Sequence, residues 1–550
     1  MKPRALFPFV VVAGAMAFAQ DADTVLVNGK ILTADAKFTV QQAIAVRDGK
    51  IAALGTTAQI RKMARSKTQV IDLGGRTVVP GLIDSHLHAI RAASFFAAET
   101  NWSGVRSLAE ALDRIRASAK EKKPGEWIIV GGGWRPDQFK ERRVPTAAEL
   151  TEAAGEHPAY AQMMYEWALM NQRGLDALNI KSDADLPGGG KLDRDAGGKP
   201  TGGVTGGIVP LFDRLPRPTL EQQMDGTKKF FRELNRLGMT GVSDPCGNNV
   251  TPDTYDAINR VWRAKQLTVR VAYTICGFNP PNEVEEYKKY LGLMPMGFGD
   301  DMMHFNGLGE QIIWGVNNVV KPKPEDLERL YQITKWAAGR GYALTFHSGT
   351  DAASDAILTV FERVNREVPI GNLRWSLAHM NDVTPATLRR MKALGMGWTM
   401  QDAMYFSGEE TEKRVGEAIK RMPPVETARE IGVPVGAGTD AHRVAPYSPM
   451  TALQWALDGK SVGGKQLRGP AETPNRENAL RAYTSGSAWF THDDDKRGSL
   501  EVGKFADLAV LTADYMTMPV EQVGGLESVL TMVGGKVVYG AGPLAKWELK

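Results

Sequence analysis

The sequence predicts an α/β protein: a (β/α)8 TIM-like barrel with a discontinuous small β-sandwich domain formed by both chain ends. Two patterns predict it. Short apolar runs broken by turn residues occupy both ends of the chain, around Asn28-Gly29, Asp48-Gly49 and Gly534-Gly535. Neither set can bury both faces of a sheet alone, so each needs the other. Between them, apolar strand-like runs alternate with helical stretches over roughly 400 residues, the pattern of a parallel α/β architecture. A chain of 550 residues has room for both units.

Residues 1–19 stand apart. Lys2 and Arg4 precede an apolar run that ends at Ala17-Phe18-Ala19, an A-x-A cleavage pattern before Gln20. This reads as a secretory signal peptide, which makes the mature protein secreted or periplasmic. The competing reading is a membrane anchor, but the run is short for a span, so no stable membrane insertion is expected. Residues 20–79 give the first part of the β-sandwich, with 24–33 and 42–54 each bending at an Asn-Gly or Asp-Gly pair. Residues 80–495 hold the barrel and its loop insertions. Strand-like runs fall at 78–84, 127–130, 241–244, 269–275, 343–347, 374–379, 397–401 and 433–440. Helical stretches fall between them, and the Gly- and Pro-rich segment 181–216 is expected as a long loop over the barrel mouth. Residues 496–550 return to the sandwich through 505–511, 528–533 and 536–539.

Composition narrows the function classes. Hydrophobic residues at 43% and charged residues at 24% exclude a largely disordered chain. A balance of 67 basic against 63 acidic residues, without a basic stripe, gives no nucleic-acid partner. Cys246 and Cys276 are the two cysteines, too few for a disulfide framework; one bridge or two separate buried thiols both fit. A symmetric homodimer is a possible assembly, although no stripe marks a face for it.

The chemistry sits at the ends of apolar runs. Of eight histidines, two lie in Gly81-Leu82-Ile83-Asp84-Ser85-His86-Leu87-His88. Residues i and i+2 of a strand share a face, so His86 and His88 point the same way. His347, His379 and Asp440 also close apolar runs. Active sites of (β/α)8 barrels lie at the C-terminal strand ends. Imidazoles and a carboxylate converging there match Zn²⁺, one or two per chain, or another divalent metal. Such an ion lowers the pKa of bound water and polarises a carbonyl. Asp440 is the candidate base and then acid, with His379 beside it as a catalytic candidate. For any one histidine alone, a core or loop role is the plain alternative. No HExxH occurs, which argues against a peptidase.

These residues resemble the amidohydrolase superfamily. Gly81–His88 is similar to its HxH signature, and 498–511, GSLEVGKFADLAVL, resembles its closing segment. Within it the chain is most similar to the amidohydrolase 3 or YtcJ-like group, on 131–150, His347-Ser348-Gly349-Thr350-Asp351, Leu377-Ala378-His379 and Gly438-Thr439-Asp440. The resemblance implies a metal-dependent hydrolase of non-peptide C–N bonds. His86 and His88 would bind the more buried metal, His347 and His379 the other position or a share of the first. Asp440 would be ligand and proton shuttle. Two departures stand out. Tyr165-Glu166-Trp167 takes the place of an Asp-Gly-His, and 300–310 holds no lysine to bridge two metals, leaving Glu310 as a bridging candidate and His304 as a contributor. Trp134, Arg135, Gln401 and His442 are candidate substrate contacts, as are the loop aromatics Tyr165, Trp167 and Tyr405.

The expected activity is a zinc-dependent amidohydrolase, using metal-activated water on an amide, cyclic amide or N-acyl/N-formyl small molecule. The alternatives are a metal-dependent esterase or isomerase in the same pocket, or a non-catalytic extracytoplasmic binding protein.

Overall fold

A computed structural model describes residues 21–549. The expected signal peptide lies outside the described residues. Among the described residues, no helix is long and apolar enough to cross a membrane.

Both chain ends meet in two β-sheets. One has the order Lys50–Gly55, Ala43–Arg47, Thr24–Val27, Gln69–Asp72. The other runs Lys536–Gly540, Ser528–Val533, Leu508–Leu511, Thr77–Pro80, Lys30–Leu32, Val40–Gln41. Leu508–Leu511 pairs antiparallel with Thr77–Pro80, placing Ala509 opposite Val79, so the far end of the chain completes the near one. Leu26, Ile44, Ile71, Val78, Leu508 and Leu530 share one apolar core between the sheets. Asp48-Gly49 and Gly534-Gly535 turn hairpins, as their composition suggests. Asn28-Gly29 does not. There Thr24–Val27 stays in the first sheet while Lys30–Leu32 crosses to the second. Asn28 takes the left-handed backbone (φ 59), and a Cβ on Gly29 would stand 2.5 Å from Leu73 Cδ1, so a larger residue at the crossing displaces the Leu73 side chain.

The middle of the chain builds two four-stranded parallel sheets. The first contains Leu82–Asp84, Met239–Asp244, Arg270–Ile275 and Met303–Leu308; the second contains Thr345–Ser348, Ser376–His379, Gly397–Gln401 and Val435–Gly438. Backbone bonds join their edges at both ends. Leu308 N–H donates to Ala343 O at 3.1 Å, and Ser85 N–H donates to Ala437 O at 3.0 Å. Helices follow the strands, and their starts are written in the sequence. Thr219, Thr350, Thr384 and Ser448 each accept a backbone N–H from the first turn of Leu220–Arg236, Asp351–Glu367, Pro385–Ala393 and Pro449–Asp458. Each such cap is worth about 1 kcal/mol.

Two expectations about this region are corrected. Ile128–Val130 is not one of the central strands. It pairs parallel with Ala159–Met163 at the edge of a separate five-stranded sheet. The place in the central set belongs to Met303–Leu308, whose polar His304 and Asn306 hide it from a hydrophobicity reading. His304 Nε2 and Asn306 Nδ2 bond the carbonyls of Thr491 and Phe490, at 3.1 and 2.9 Å. The segment 181–216 is also more than a loop. Lys191–Arg194 and Pro200–Thr205 add a hairpin to the five-stranded sheet, and Leu192, Val204, Ile208, Leu211 and Phe212 bury against it.

Candidate metal centre

Six side chains converge at the C-terminal ends of the central strands. His86 and His88 follow Leu82–Asp84, Glu310 follows Met303–Leu308, His347 lies in Thr345–Ser348, His379 ends Ser376–His379 and Asp440 follows Val435–Gly438. His88 Nε2 stands 3.0 Å from Asp440 Oδ1 and 3.5 Å from Glu310 Oε1. His86 Nε2 lies 3.6 Å from Asp440 Oδ1 and 3.4 Å from Glu310 Oε2. The same Oε2 meets His347 Nδ1 at 2.8 Å and His379 Nε2 at 3.2 Å. Two metal-sized groups result, His86–His88–Asp440 and His86–Glu310–His379, all of whose members are buried. His304 belongs to neither group.

The backbone at these strand ends is fixed by further polar groups. Asp84 is fully buried; its Oδ1 accepts the His86 N–H at 2.9 Å and its Oδ2 accepts the Thr439 hydroxyl at 2.8 Å. One carboxylate thereby ties the first strand to the eighth. Burial, against those donors, pushes its pKa up to about 6. His379 and Asp440 both sit at positive φ (70 and 56), a backbone cost of about 1–3 kcal/mol per residue that surrounding bonds must hold. Gln401 Oε1 accepts the His379 N–H at 2.8 Å, and Trp398 Nε1 donates to the His379 carbonyl at 3.0 Å.

The charges reinforce one another. Burial opposes ionisation of Glu310, but His347 and His86 outweigh it and hold the carboxyl well below the usual range. Asp440 is also lowered: the bond from His88 and the charges of His379 and His86 overcome its burial. Burial would lower His86, yet Glu310 and Asp440 raise it. His379 is lowered, by burial and then by His347.

The bridging of Cys246 to Cys276 was open in the sequence; the two form a disulfide, with Cα atoms 5.8 Å apart. It joins the loops after Met239–Asp244 and Arg270–Ile275. The Cys246 carbonyl accepts from His88 Nδ1, which leaves Nε2 free to face Asp440. Asp244, fully buried, accepts the N–H groups of Ile90 and Cys246 at 2.7 and 2.8 Å. Replacing both cysteines by serine is expected to cost about 3–4 kcal/mol of stability, from release of a 30-residue loop. It should also weaken metal retention by freeing the His88 ring. Denaturant unfolding and equilibrium dialysis against a chelator measure the two effects separately; unchanged values in both would refute the link.

The expected substrate contacts are distributed differently. Trp134 is buried in the core of the five-stranded-sheet insertion, 4.9 Å from Trp102 and 5.7 Å from Phe139 between ring centroids. Its ring packs the core of that insertion, and its Nε1 has no hydrogen-bond partner among the described residues. Arg135 Nη2 lies 3.9 Å from Glu166 Oε2, beside the turn that carries Tyr165. Trp167 donates Nε1–H to Asp193 Oδ2 at 2.8 Å and belongs to the insertion sheet, while Tyr405 lies on the helix Met404–Val415. Gln401 positions His379. His442 Nε2 meets Glu99 Oε2 at 3.1 Å. Burial and Arg443 pull His442 down to about 4 despite Glu99. With its Nε2 proton donated to Glu99, its Nδ1 is an acceptor without a partner among the described residues. The supporting acids Asp84 and Asp244 end strands as Asp440 does, so the same strand-end signal finds them.

Comparison with known proteins gives the chain its family. The amidohydrolase family model matches residues 69–539. An N-substituted formamide deformylase from Arthrobacter pascens is 26% identical over 94% of this chain and 99% of its own. The putative amidohydrolase YtcJ of Bacillus subtilis is 23% identical over 90% of this chain and 96% of its own. An adenosine deaminase from Xanthomonas campestris, solved with bound zinc, aligns over 96% of this chain and 95% of its own with a TM-score of 0.57 and 15% identity. The residues that converge on the strand ends are of the types that hold a divalent metal, and the family match spans them; the chain belongs to the amidohydrolase family, as a metal-dependent hydrolase of carbon–nitrogen bonds.

Proposed function

We propose that the chain is a zinc-dependent hydrolase of N-formyl or N-acyl small molecules, working outside the cytosol after removal of residues 1–19. The observation that carries the metal reading is His86. Both its ring nitrogens are buried without a hydrogen-bond partner, and Nε2 faces carboxylate oxygens of Glu310 and Asp440 at 3.4 and 3.6 Å. A buried imidazole without a hydrogen-bond partner, set against two carboxylates held low, fits a cation, and four imidazoles with two carboxylates fit zinc. His86, His88 and Asp440 would hold one ion; Glu310 and His379, with His347, would hold a second. Bound there, zinc supplies a lowered water pKa and polarisation of the substrate carbonyl.

The chain's own residues do the rest. Asp440, ionised at neutral pH, has Oδ1 engaged by His88, while Oδ2 lies 3.8 Å from His379 Nδ1. Oδ2 is the atom that takes the proton of the attacking water and returns it to the leaving nitrogen. The burial of His86, His88, His379 and Asp440 keeps bulk water from competing for that proton. The formyl or acyl preference is supported by the deformylase relative. The edge bonds between the two parallel sheets support closure of the eight strands into a (β/α)8 barrel, with the shared core of the terminal sheets as a β-sandwich.

The test is elemental analysis of the purified mature protein, followed by turnover of N-alkyl formamides, matching acetamides and isosteric esters. One or two zinc per chain and faster amide than ester cleavage are expected. Absence of tightly held metal, with none restored by added zinc and no amide turnover, refutes the reading.

A further inference from the structure

The last two strands of the second parallel sheet leave a cavity of about 200 Å³ between themselves and the helices outside them. Met400 and Asp402 line it from the end of Gly397–Gln401, and Val433, Val435 and Ala437 line it from Val435–Gly438 and its approach. Alternate residues of a strand share a face, so Met400 and Asp402 look away from Gln401, which holds His379. The helices Val425–Ile431, Pro449–Asp458 and Arg476–Arg481 close the other side. None of the six residues of the metal centre lines this cavity. Its exposed or half-buried wall residues include Arg429, Asn478 and Arg481, so entry is from the helix side.

The charges of this wall are unevenly matched. Its three arginines are answered. Arg429 Nε donates to Glu426 Oε2 at 2.9 Å. Arg481 donates to the carbonyls of Ala34 and Asp35 at 2.9 and 2.5 Å. Arg468, whose Nε is unpartnered, donates through Nη2 to the Trp455 and Ala456 carbonyls at 2.7 and 2.6 Å and lies among the charges of Asp458 and Glu472.

Asp402 is not answered. It is 1% exposed, and neither carboxyl oxygen has a hydrogen-bond partner among the described residues. Burial, then the neighbouring acids Asp84 and Asp440, push it well above the usual carboxylate range. Tyr483, in the same wall, is buried beside that acid with an unpartnered hydroxyl, and Glu426 Oε1 is a further acceptor without a donor. What is missing is a group with several N–H donors and a positive charge. A water would serve the polar corner and leave the apolar remainder, Val433, Val435 and Trp455 among it, unfilled. Met400 is unbranched and gives way to a ligand at low cost. A cavity of about 150 Å³ takes benzene, so this one has room for a ring with a short aminoalkyl arm.

We propose that this cavity is a second ligand site, apart from the metal centre, and that it takes a small primary amine, held as its ammonium by Asp402 with an apolar body against Val433, Val435 and Trp455. The inference stands independently of the hydrolase reading, because binding is measured without turnover.

The test is calorimetric titration of the metal-loaded protein with benzylamine and with ethylbenzene, which has the same shape and no charge. Benzylamine should bind with a Kd on the order of 100 μM, and ethylbenzene roughly tenfold more weakly or worse. Asp402→Asn should remove that preference, leaving ethylbenzene within a few-fold and metal content unchanged. Ala479→Leu, which fills the cavity, should weaken both compounds, and serves if the Asp402 variant does not fold. Equal binding of the two compounds by wild type, or no binding of benzylamine at millimolar concentration, overturns the proposal. Benzylamine binding that neither variant changes places the amine at the metal and also overturns it. Binding lost in Ala479→Leu but kept in Asp402→Asn leaves an apolar cavity without an ammonium site, which overturns it as well.

Discussion

Asp440→Asn is expected to lower kcat by roughly 10²–10⁴-fold, the range associated with losing a positioned general acid–base. The substitution preserves shape and removes the charge. Asp440 Oδ1 faces His88 and His86 at 3.0 and 3.6 Å, and Oδ2 faces His379 at 3.8 Å. An amide there neither accepts the water proton nor delivers one. Because Asp440 is also proposed to hold metal, kinetics and metal content must be read together. Lost turnover with metal retained isolates proton transfer. Lost turnover with lost metal assigns the larger role to ligation. Turnover within tenfold of wild type, with metal retained, would remove Asp440 from the mechanism.

How much of this was legible in the sequence depended on whether the signal was local. The pairing of the chain ends could be read from short apolar runs because each end alone is an incomplete layer. His86, His88, His347, His379 and Asp440 could be read because the ends of apolar runs mark the chemical face of a parallel α/β fold. Met303–Leu308 could not, since its polar positions bond carbonyls nearly two hundred residues away, at Phe490 and Thr491. Ile128–Val130 carries the apolar content of a central strand, and nothing in three residues says which sheet will take it. The aromatic Trp134 was equally silent: an indole in a Gly-rich segment suits a pocket or a core, and only the surrounding Trp102 and Phe139 decide it.

Glu310→Gln is the substitution expected to separate a one-metal from a two-metal centre. Glu310 Oε1 faces His88 at 3.5 Å, while Oε2 faces His347, His379 and His86 at 2.8, 3.2 and 3.4 Å. It is the one carboxylate addressed by all four imidazoles of the centre. Its removal leaves His86, His88 and His379 with Asp440 alone and takes from His347 the carboxylate it bonds, and breaking such a buried pairing costs about 3–5 kcal/mol of metal-free stability. The second position has a proton to displace first. Asn318 Oδ1 accepts the Gly349 N–H at 2.6 Å, which orients its Nδ2 toward His347 Nε2 at 2.7 Å. His347 Nε2 is then the acceptor, and its proton lies on Nδ1, donated to Glu310. A metal there would need Nδ1 as an acceptor, so the neutral ring would carry its proton on Nε2 instead. The proton given up comes from His86, which Glu310 and Asp440 hold raised against its burial, and occupancy in wild type should rise with pH. In Glu310→Gln the occupancy should stay at one metal or fewer across the same range, with turnover reduced by roughly 100-fold or more. Elemental analysis at two pH values and thermal melting of the metal-free protein measure both consequences. A variant that still holds two metals would show that His347 and His379 build the second position without the carboxylate between them.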